Sequence, residues 1–347
     1  MTRKNKLAFL IMLFVGLGIF WWEARTEKLS TLIQGFRTLN FWWLLVALLM
    51  MAGQLLLEAH VLQVLLRGRV AYFPFRNAAR VPMIEQLFNS ITPFSSGGQP
   101  AQLIAMMQSG IEAGQASSVL LMKFIIYQMM VLINFVLTML FGFHEVVSRF
   151  HGIAWLIVAG FALHLFVIAG LLLVMYQYKF TKKLLQWATV PLGWFLKPEK
   201  VTRWKKNLDD KVDTFYAESL HLKREKRKVI KASILTFIQL IIFYAIPYFI
   251  LLALGQTKAD FLNVVAMHVM IVMITSIFPI PGGTGGAEYS FKTLFAIFLT
   301  NPSKLLIGML LWRFVTYYFG MFLGIGALAV PIKAAPPTAA KADQESH

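Results

Sequence analysis

Cysteine does not occur anywhere in the 347 residues. That excludes disulfide bonds, thiol nucleophiles and cysteine-ligated metals. Charge is scarce as well: Asp, Glu, Lys and Arg together make up 14% of the chain, against roughly 25% in a soluble domain. Acidic groups are the scarcest, 16 against 33 Lys and Arg, which leaves a formal net charge of +17. The signatures of soluble enzymes are missing too. His144-Glu145 has no second histidine at the metalloprotease spacing, and neither a G-x-x-x-x-G-K-[ST] phosphate loop nor a G-x-S-x-G nucleophile elbow occurs. No catalytic residue, metal or cofactor is therefore expected, and ATP-driven work would need a partner.

Apolar residues fill the space that charge leaves. They make up 58% of the chain, with 30 Phe, 9 Trp and 10 Tyr, and the mean hydropathy is +0.66. Composition of this kind predicts an all-α polytopic membrane protein, with aromatic side chains facing lipid and its interfaces. The basic residues sit mainly in loops beside apolar runs, where they set orientation and meet anionic head groups. Membrane lipid, and not nucleic acid, is the expected partner, with a homo-oligomer left open.

Arg3, Lys4 and Lys6 precede the apolar run Leu7–Trp22. No small-x-small cleavage site follows, so the run is expected to stay as a span and not to be removed as a signal peptide. Further spans are expected at Phe41–Leu66, Val119–Phe143, Ile153–Tyr176, Ser233–Leu254 and Lys304–Val330, about six in all. Between Lys179 and Lys231 stand 15 Lys/Arg against 6 Asp/Glu. That basic stretch is expected in the cytoplasm, either as an amphipathic segment on the membrane or as a solvated connector. Residues 333–347, rich in Pro and Ala, read as a disordered tail.

Two apolar stretches cannot be continuous helices. Pro82–Gln108 holds Asn89, Ser90, Thr92, Pro93, Ser95, Ser96, Gly97, Gly98 and Pro100, and Thr275–Ser290 reads TSIFPIPGGTGGAEYS. Turn formers at that density break a helix. Broken backbone at membrane depth survives only where protein or a wet cavity satisfies it, so such breaks mark substrate sites. Charge balance favours hairpins that dip in and return. If residues 82–108 crossed once, an inside N-terminus would place the basic 179–231 stretch outside. The first hairpin (82–108) then opens to the cytoplasm and the second (261–299) to the outside.

At an offset of 186 the breaks superimpose: Ser90/Ser276, Ile91/Ile277, Pro93/Pro279, Gly97/Gly283 and Ala101/Ala287, with Gln102 against Glu288. The same offset places Phe41–Leu66 and Val119–Phe143 over the spans that flank the second break. The expected organisation is an inverted-topology repeat. An N-terminal half (1–178) and a C-terminal half (232–332) would share a substrate site near the midplane, with 179–231 joining them.

Helix starts at Pro100 and Ala287, just after paired glycines, would present unpaired N–H groups and a positive dipole end to an anion. Glycines that only let the hairpins pack tightly would give the same pattern. Among ionisable residues within spans, Glu58 and Lys123 fall on the inner side of the midplane and could pair, as could Glu288 and Arg313 on the outer side. Each pair could serve a substrate or only packing. His164 and His268 read as groups that hydrogen-bond within the bundle or sit at a polar seam. Tyr127, Gln128, Asn134 and Gln239 offer further hydrogen bonds. The candidate substrate-binding residues are Glu58, Asn89, Thr92, Gly97, Gly98, Gln102, Lys123, Gly282, Gly283, Glu288 and Arg313.

At TPFSSGGQPAQ (92–102), PIPGGTGGAE (279–288) and LLWRFVTYYFGMFLG (310–324), the chain resembles the membrane region of the lysylphosphatidylglycerol synthase/flippase family. The resemblance runs over roughly residues 5–332. It implies a flippase-like protein that moves a phospholipid such as aminoacylated phosphatidylglycerol, with antibiotic resistance as the associated trait. It also implies that Gly97, Gly98, Gly282, Gly283, Glu288 and Arg313 occupy motif positions. Two departures limit it. No cytosolic synthase domain is present in this sequence, so lysyl transfer is not implied, and Gln102 stands where many relatives carry a basic residue.

Overall fold

The structure is a computed structural model that describes residues 35–70, 72–142, 151–188 and 225–332, with a few positions between 205 and 216. The expected span Leu7–Trp22, the tail after residue 332 and most of the basic stretch 179–231 lie outside the described residues. Ten helices follow one another among those described. They are α1 (Phe41–Leu66), α2 (Phe75–Ser90), α3 (Gly98–Gln108), α4 (Ala113–Gly142), α5 (His151–Tyr176), α6 (Tyr178–Ala188), α7 (Lys226–Ala253), α8 (Phe261–Thr275), α9 (Gly286–Phe295) and α10 (Pro302–Ala329). No strand occurs among the described residues. Five helices, α1, α4, α5, α7 and α10, are long and apolar enough to cross a bilayer. The protein is an all-α, multi-pass membrane protein.

Local chemistry sets several helix starts. Asn40 caps α1 by accepting from the Trp42 N–H at 3.1 Å, Asp260 caps α8 through the Asn263 N–H at 2.9 Å, and Asn301 caps α10 through the Lys304 N–H at 3.1 Å. Each side chain satisfies a donor that the first turn of a helix leaves open. Pro302 takes the first helical position of α10, where a missing N–H costs nothing. Helices α4 and α7 begin ahead of the expected apolar boundaries, at Ala113 and Lys226. Backbone bonding carries them past the point where hydropathy falls.

The element order repeats: span, broken pair of helices, span. Helices α1 and α7, which precede the two breaks, pack along each other. Helix α2 packs on α1 and on the final span α10, and its counterpart α8 packs on α7 and α4. The first limb of each break therefore lies between the span that precedes it and the span that follows the other break. The fit of α10 on α2 needs small residues. A Cβ at Gly324 would run into the Met83 carbonyl and Leu87, and one at Gly320 into Gln86 and Met51. Gly320 and Gly324 form a small-xxx-small stripe, which lets helices in lipid approach closely where burial from water gives no drive. Among the described spans α10 is the most enclosed, with 67% of its apolar stretch buried, and α5 the most peripheral at 22%.

Both expected breaks are present, with shifted limits. The first hairpin starts at Phe75, so Pro82 lies inside α2 and does not open it. Its second limb starts at Gly98, two positions ahead of Pro100, and that of the second hairpin starts at Gly286, next to Ala287. The offset of 186 holds where the first limbs begin, Phe75 against Phe261, but not at the tips. There the short 3-10 turns Pro93–Ser95 and Pro281–Gly283 correspond, and Gly98 corresponds to Gly286. The second tip carries a longer linker after its first limb. Structurally, Gln102 therefore faces the position of Ser290, not Glu288.

Candidate functional site

The first tip is closed by its own side chains. Thr92 Oγ1 donates to the Phe88 carbonyl at 2.7 Å and accepts from the Gly97 N–H at 2.8 Å, while Asn89 Oδ1 accepts from the Gly98 N–H at 3.1 Å. A Cβ on Gly98 would collide with Asn89. Of the N–H groups that open α3, those of Gly97 and Gly98 are thus occupied by Thr92 and Asn89. Phe94 and Ser95 carry positive φ of 52° each, strain of order 1–3 kcal/mol per residue that clusters at functional sites.

The second tip is held from the spans. Glu288 Oε2 accepts from the Gly285 N–H at 2.6 Å, and Oε1 accepts from Arg313 Nε at 2.7 Å. Arg313 Nη1 donates to the Gly282 carbonyl at 2.9 Å. The guanidinium also lies 5.3 Å from the Trp312 ring and 5.4 Å from the Tyr317 ring, within cation–π range. Directly after Arg313, residues Phe314–Phe319 widen into a π-helical segment, a distortion found often at functional sites. It turns the Thr316 carbonyl toward Gln86 Nε2, at 3.3 Å.

Between the tips and the spans lies a cavity of about 400 Å³. Its walls come from α1 (Gln54, Glu58), α2 (Glu85, Gln86, Asn89), the first tip (Phe94, Ser95), α4 (Lys123, Tyr127, Gln128), α5 (His164), α7 (Gln239) and the second hairpin (Ser276, Gly283). Lys123 is the centre of its polar chemistry. Its ammonium pairs with Glu58 Oε1, with Glu85 Oε2 at 2.8 Å and with Gln102 Oε1 at 2.7 Å. All three ammonium protons are used. Gln239 Nε2 bridges Glu58 Oε2 and Gln54 Oε1, each at 3.2 Å. Two carboxyl groups, Glu58 and Glu85, thus stand against one ammonium in the walls.

The expected pairs Glu58–Lys123 and Glu288–Arg313 both form. Glu58, Asn89, Lys123 and Gly283 line the cavity, and Gln102 reaches Lys123 from behind it. Thr92, Gly97, Gly98, Gly282, Glu288 and Arg313 are absent from its lining. Both carboxylate oxygens of Glu288 are engaged within the second hairpin and by Arg313, which leaves them no aim toward the cavity. His268 behaves as expected, its ring joining the Tyr244 carbonyl at 3.2 Å and the Trp312 indole N–H at 3.1 Å. His164 lies at the polar seam instead: it lines the cavity, with both ring nitrogens buried and without a partner. Glu85 is the residue that sequence reasoning missed. Counting the one charge of the first hairpin (82–108) with the ionisable groups at membrane depth would have found it.

Two comparisons bear on this arrangement. A membrane protein of Archaeoglobus fulgidus described as "UPF0104 membrane protein" is 27% identical over 302 residues, 82% of this chain and 85% of that protein. Residues 9–324 match the family described as "Lysylphosphatidylglycerol synthase TM region", a stretch that contains both hairpins and every residue of the cavity. The chain belongs to that family of lysylphosphatidylglycerol synthase-type membrane regions.

Proposed function

We propose that the protein is a lipid translocase of the cytoplasmic membrane, with both termini on the cytoplasmic side. The two hairpins are re-entrant, the first open to the cytoplasm and the second to the outside. The halves 1–178 and 232–332 have opposite orientation, with the basic stretch 179–231 between them. The observation that carries this reading is the cavity where the two tips meet, with Lys123, Glu58 and Glu85 in its walls. Ionisable groups at membrane depth need partners and mark transport pathways.

Lys123 has no proton to spare, whereas two carboxyl groups stand beside that one ammonium. A head group that brings positive charge and N–H donors is therefore favoured, as in aminoacylated phosphatidylglycerol, over a purely anionic one or a glycolipid. Glu58, Glu85, Asn89 and Lys123 contact the head group; Glu288, Arg313 and the tip glycines hold the hairpins that present it. Rocking of the halves would expose the head to the other leaflet while the acyl tails remain in lipid.

Reconstitution of the full chain in liposomes with fluorescent or aminoacylated phosphatidylglycerol tests the reading. Transbilayer movement well above that of empty liposomes is expected, with loss in Lys123→Gln. Movement no faster than in empty liposomes would overturn it. A chemically altered lipid in mass spectrometry would identify a membrane-embedded enzyme, and uptake of a small anion without lipid movement a soluble-anion carrier.

A further inference from the structure

A second, wholly apolar hollow of about 340 Å³ lies between α4 and α5, lined by Phe135, Met139 and Leu140 on α4 and by Ala154, Ile157 and Phe161 on α5, among others. Its volume falls in the range of ligand pockets, about 300–1,000 Å³. The hollow and the polar cavity share one seam. On α4, Phe124 and Gln128 line the cavity, and Phe135 and Met139 line the hollow, positions that fall on one face at three- and four-residue helical steps. On α5, His164 lines the cavity and Phe161 the hollow, one turn or about 4.5 Å apart along the axis. Phe135 and Phe161 stack at 4.8 Å where the two spaces approach. Beside that point stand the two unpartnered, buried nitrogens of His164.

Polar cavity, unsatisfied hydrogen-bonding group and apolar groove thus follow one another along the same two helices. That order matches the parts of one amphiphile. We propose that the α4–α5 groove holds an acyl chain of the translocated lipid and that His164 hydrogen-bonds the ester or phosphodiester oxygens joining tail to head. The inference rests on the lipid reading above and adds the tail site and its polar contact. With α4 running from the cytoplasmic to the outer side, a head in the cavity and a tail in the groove have the polarity of an inner-leaflet lipid. The bound lipid is raised toward the midplane and has not yet turned over.

The test uses the full chain in phosphatidylcholine vesicles containing aminoacylated phosphatidylglycerol with a diazirine in mid-acyl chain, irradiated and mapped by mass spectrometry. Adducts concentrated on residues 135–140 and 154–161, and displaced to other helices in Ala154→Phe, are expected. His164→Phe should reduce groove labelling about three- to tenfold, the effect of one hydrogen bond, with His164→Gln restoring it. Labelling spread evenly over the lipid-facing helices and unmoved by Ala154→Phe would make the groove ordinary boundary surface and overturn the proposal. So would a disulfide between cysteines introduced at Leu10 and Met139, because the chain's own first apolar run would then fill the groove. Labelling reports binding and not movement, so groove adducts without translocation would sink the flippase reading alone. Translocation without groove adducts would sink this one alone.

Discussion

The Tyr317 hydroxyl donates to the Ser90 carbonyl at 2.8 Å across 227 residues of sequence. One partner ends α2 at the first tip, and the other lies in the π-helical segment of α10 that follows Arg313. The same Tyr317 ring lies beside the Arg313 guanidinium and would be struck by a Cβ on Gly282. A single side chain thus touches both hairpins. Movement of one tip relative to the other must break or carry this contact.

Tyr317→Phe keeps the ring and removes the hydroxyl. The loss should be about 0.5–1.5 kcal/mol, read as a lowered Tm in detergent. If the bond also restrains the tips, hydrogen exchange in residues 90–97 should accelerate while the core of α7 stays protected.

Lys123→Met leaves Glu58 and Glu85 without a cation. Removing one partner of a buried ionic cluster costs about 3–5 kcal/mol, so a severely destabilised or poorly expressed variant is expected. The triple variant Lys123→Met, Glu58→Gln, Glu85→Gln removes every charge of the cluster. It should recover most of the thermal stability while remaining inactive in translocation, which separates the packing role of the cluster from its transport role.

Gly282 and Gly255 both carry positive φ, 65° and 81°, so alanine strains the backbone at either. A left-handed alanine costs about 1–2 kcal/mol. At Gly282 the added Cβ also meets the Tyr317 ring, whereas at Gly255 nothing lies within 4 Å. Gly282→Ala should therefore lower Tm clearly more than Gly255→Ala, and only Gly282→Ala should impair transport.

Arg313→Lys preserves charge but not shape. One ammonium cannot reproduce the fork that reaches Glu288 and the Gly282 carbonyl together while stacking between rings. Residues 281–288 should exchange hydrogen faster in the variant, with little change in residues 93–98 of the other tip.

Before α7, Glu225 accepts from Lys228 at 2.8 Å and from Arg69 at 3.1 Å. Burial alone would push its carboxyl up, but these two cations outweigh it and hold it below the usual carboxylate range. A depressed folded value contributes stability above the unfolded value, about 4.3, and that stability is lost as pH falls through the folded value. Wild type should be more stable than Glu225→Gln near about pH 7, and the gap should close in acid.

Helix identity was readable because hydropathy alone decides it in lipid: α1 falls on Phe41–Leu66 as expected. The breaks were readable because Pro and Gly act locally. The pairs Glu58–Lys123 and Glu288–Arg313 were readable because depth along a helix follows from residue count and an ion in lipid must find its opposite. Glu85 was hidden because the first hairpin (82–108) is legible by its turn formers, while nothing local tells that its one charge faces Lys123. The tip register was hidden because five matches at one offset do not reveal a linker of different length.

By itself, then, the chain determined which segments enter the membrane, where two of them must bend, and which charges need company. These are one-dimensional properties, set by local backbone chemistry and by the cost of polar groups in hydrocarbon. Tertiary packing alone decided which groups share a cavity. It turned Glu288 and Arg313 inward to hold a tip, brought Glu85 to Lys123, and left His164 facing the space with no partner. The side a residue presents depends on neighbours on other helices, from 25 residues away for Glu288 and Arg313 to 181 for Glu58 and Gln239, and no local pattern encodes that.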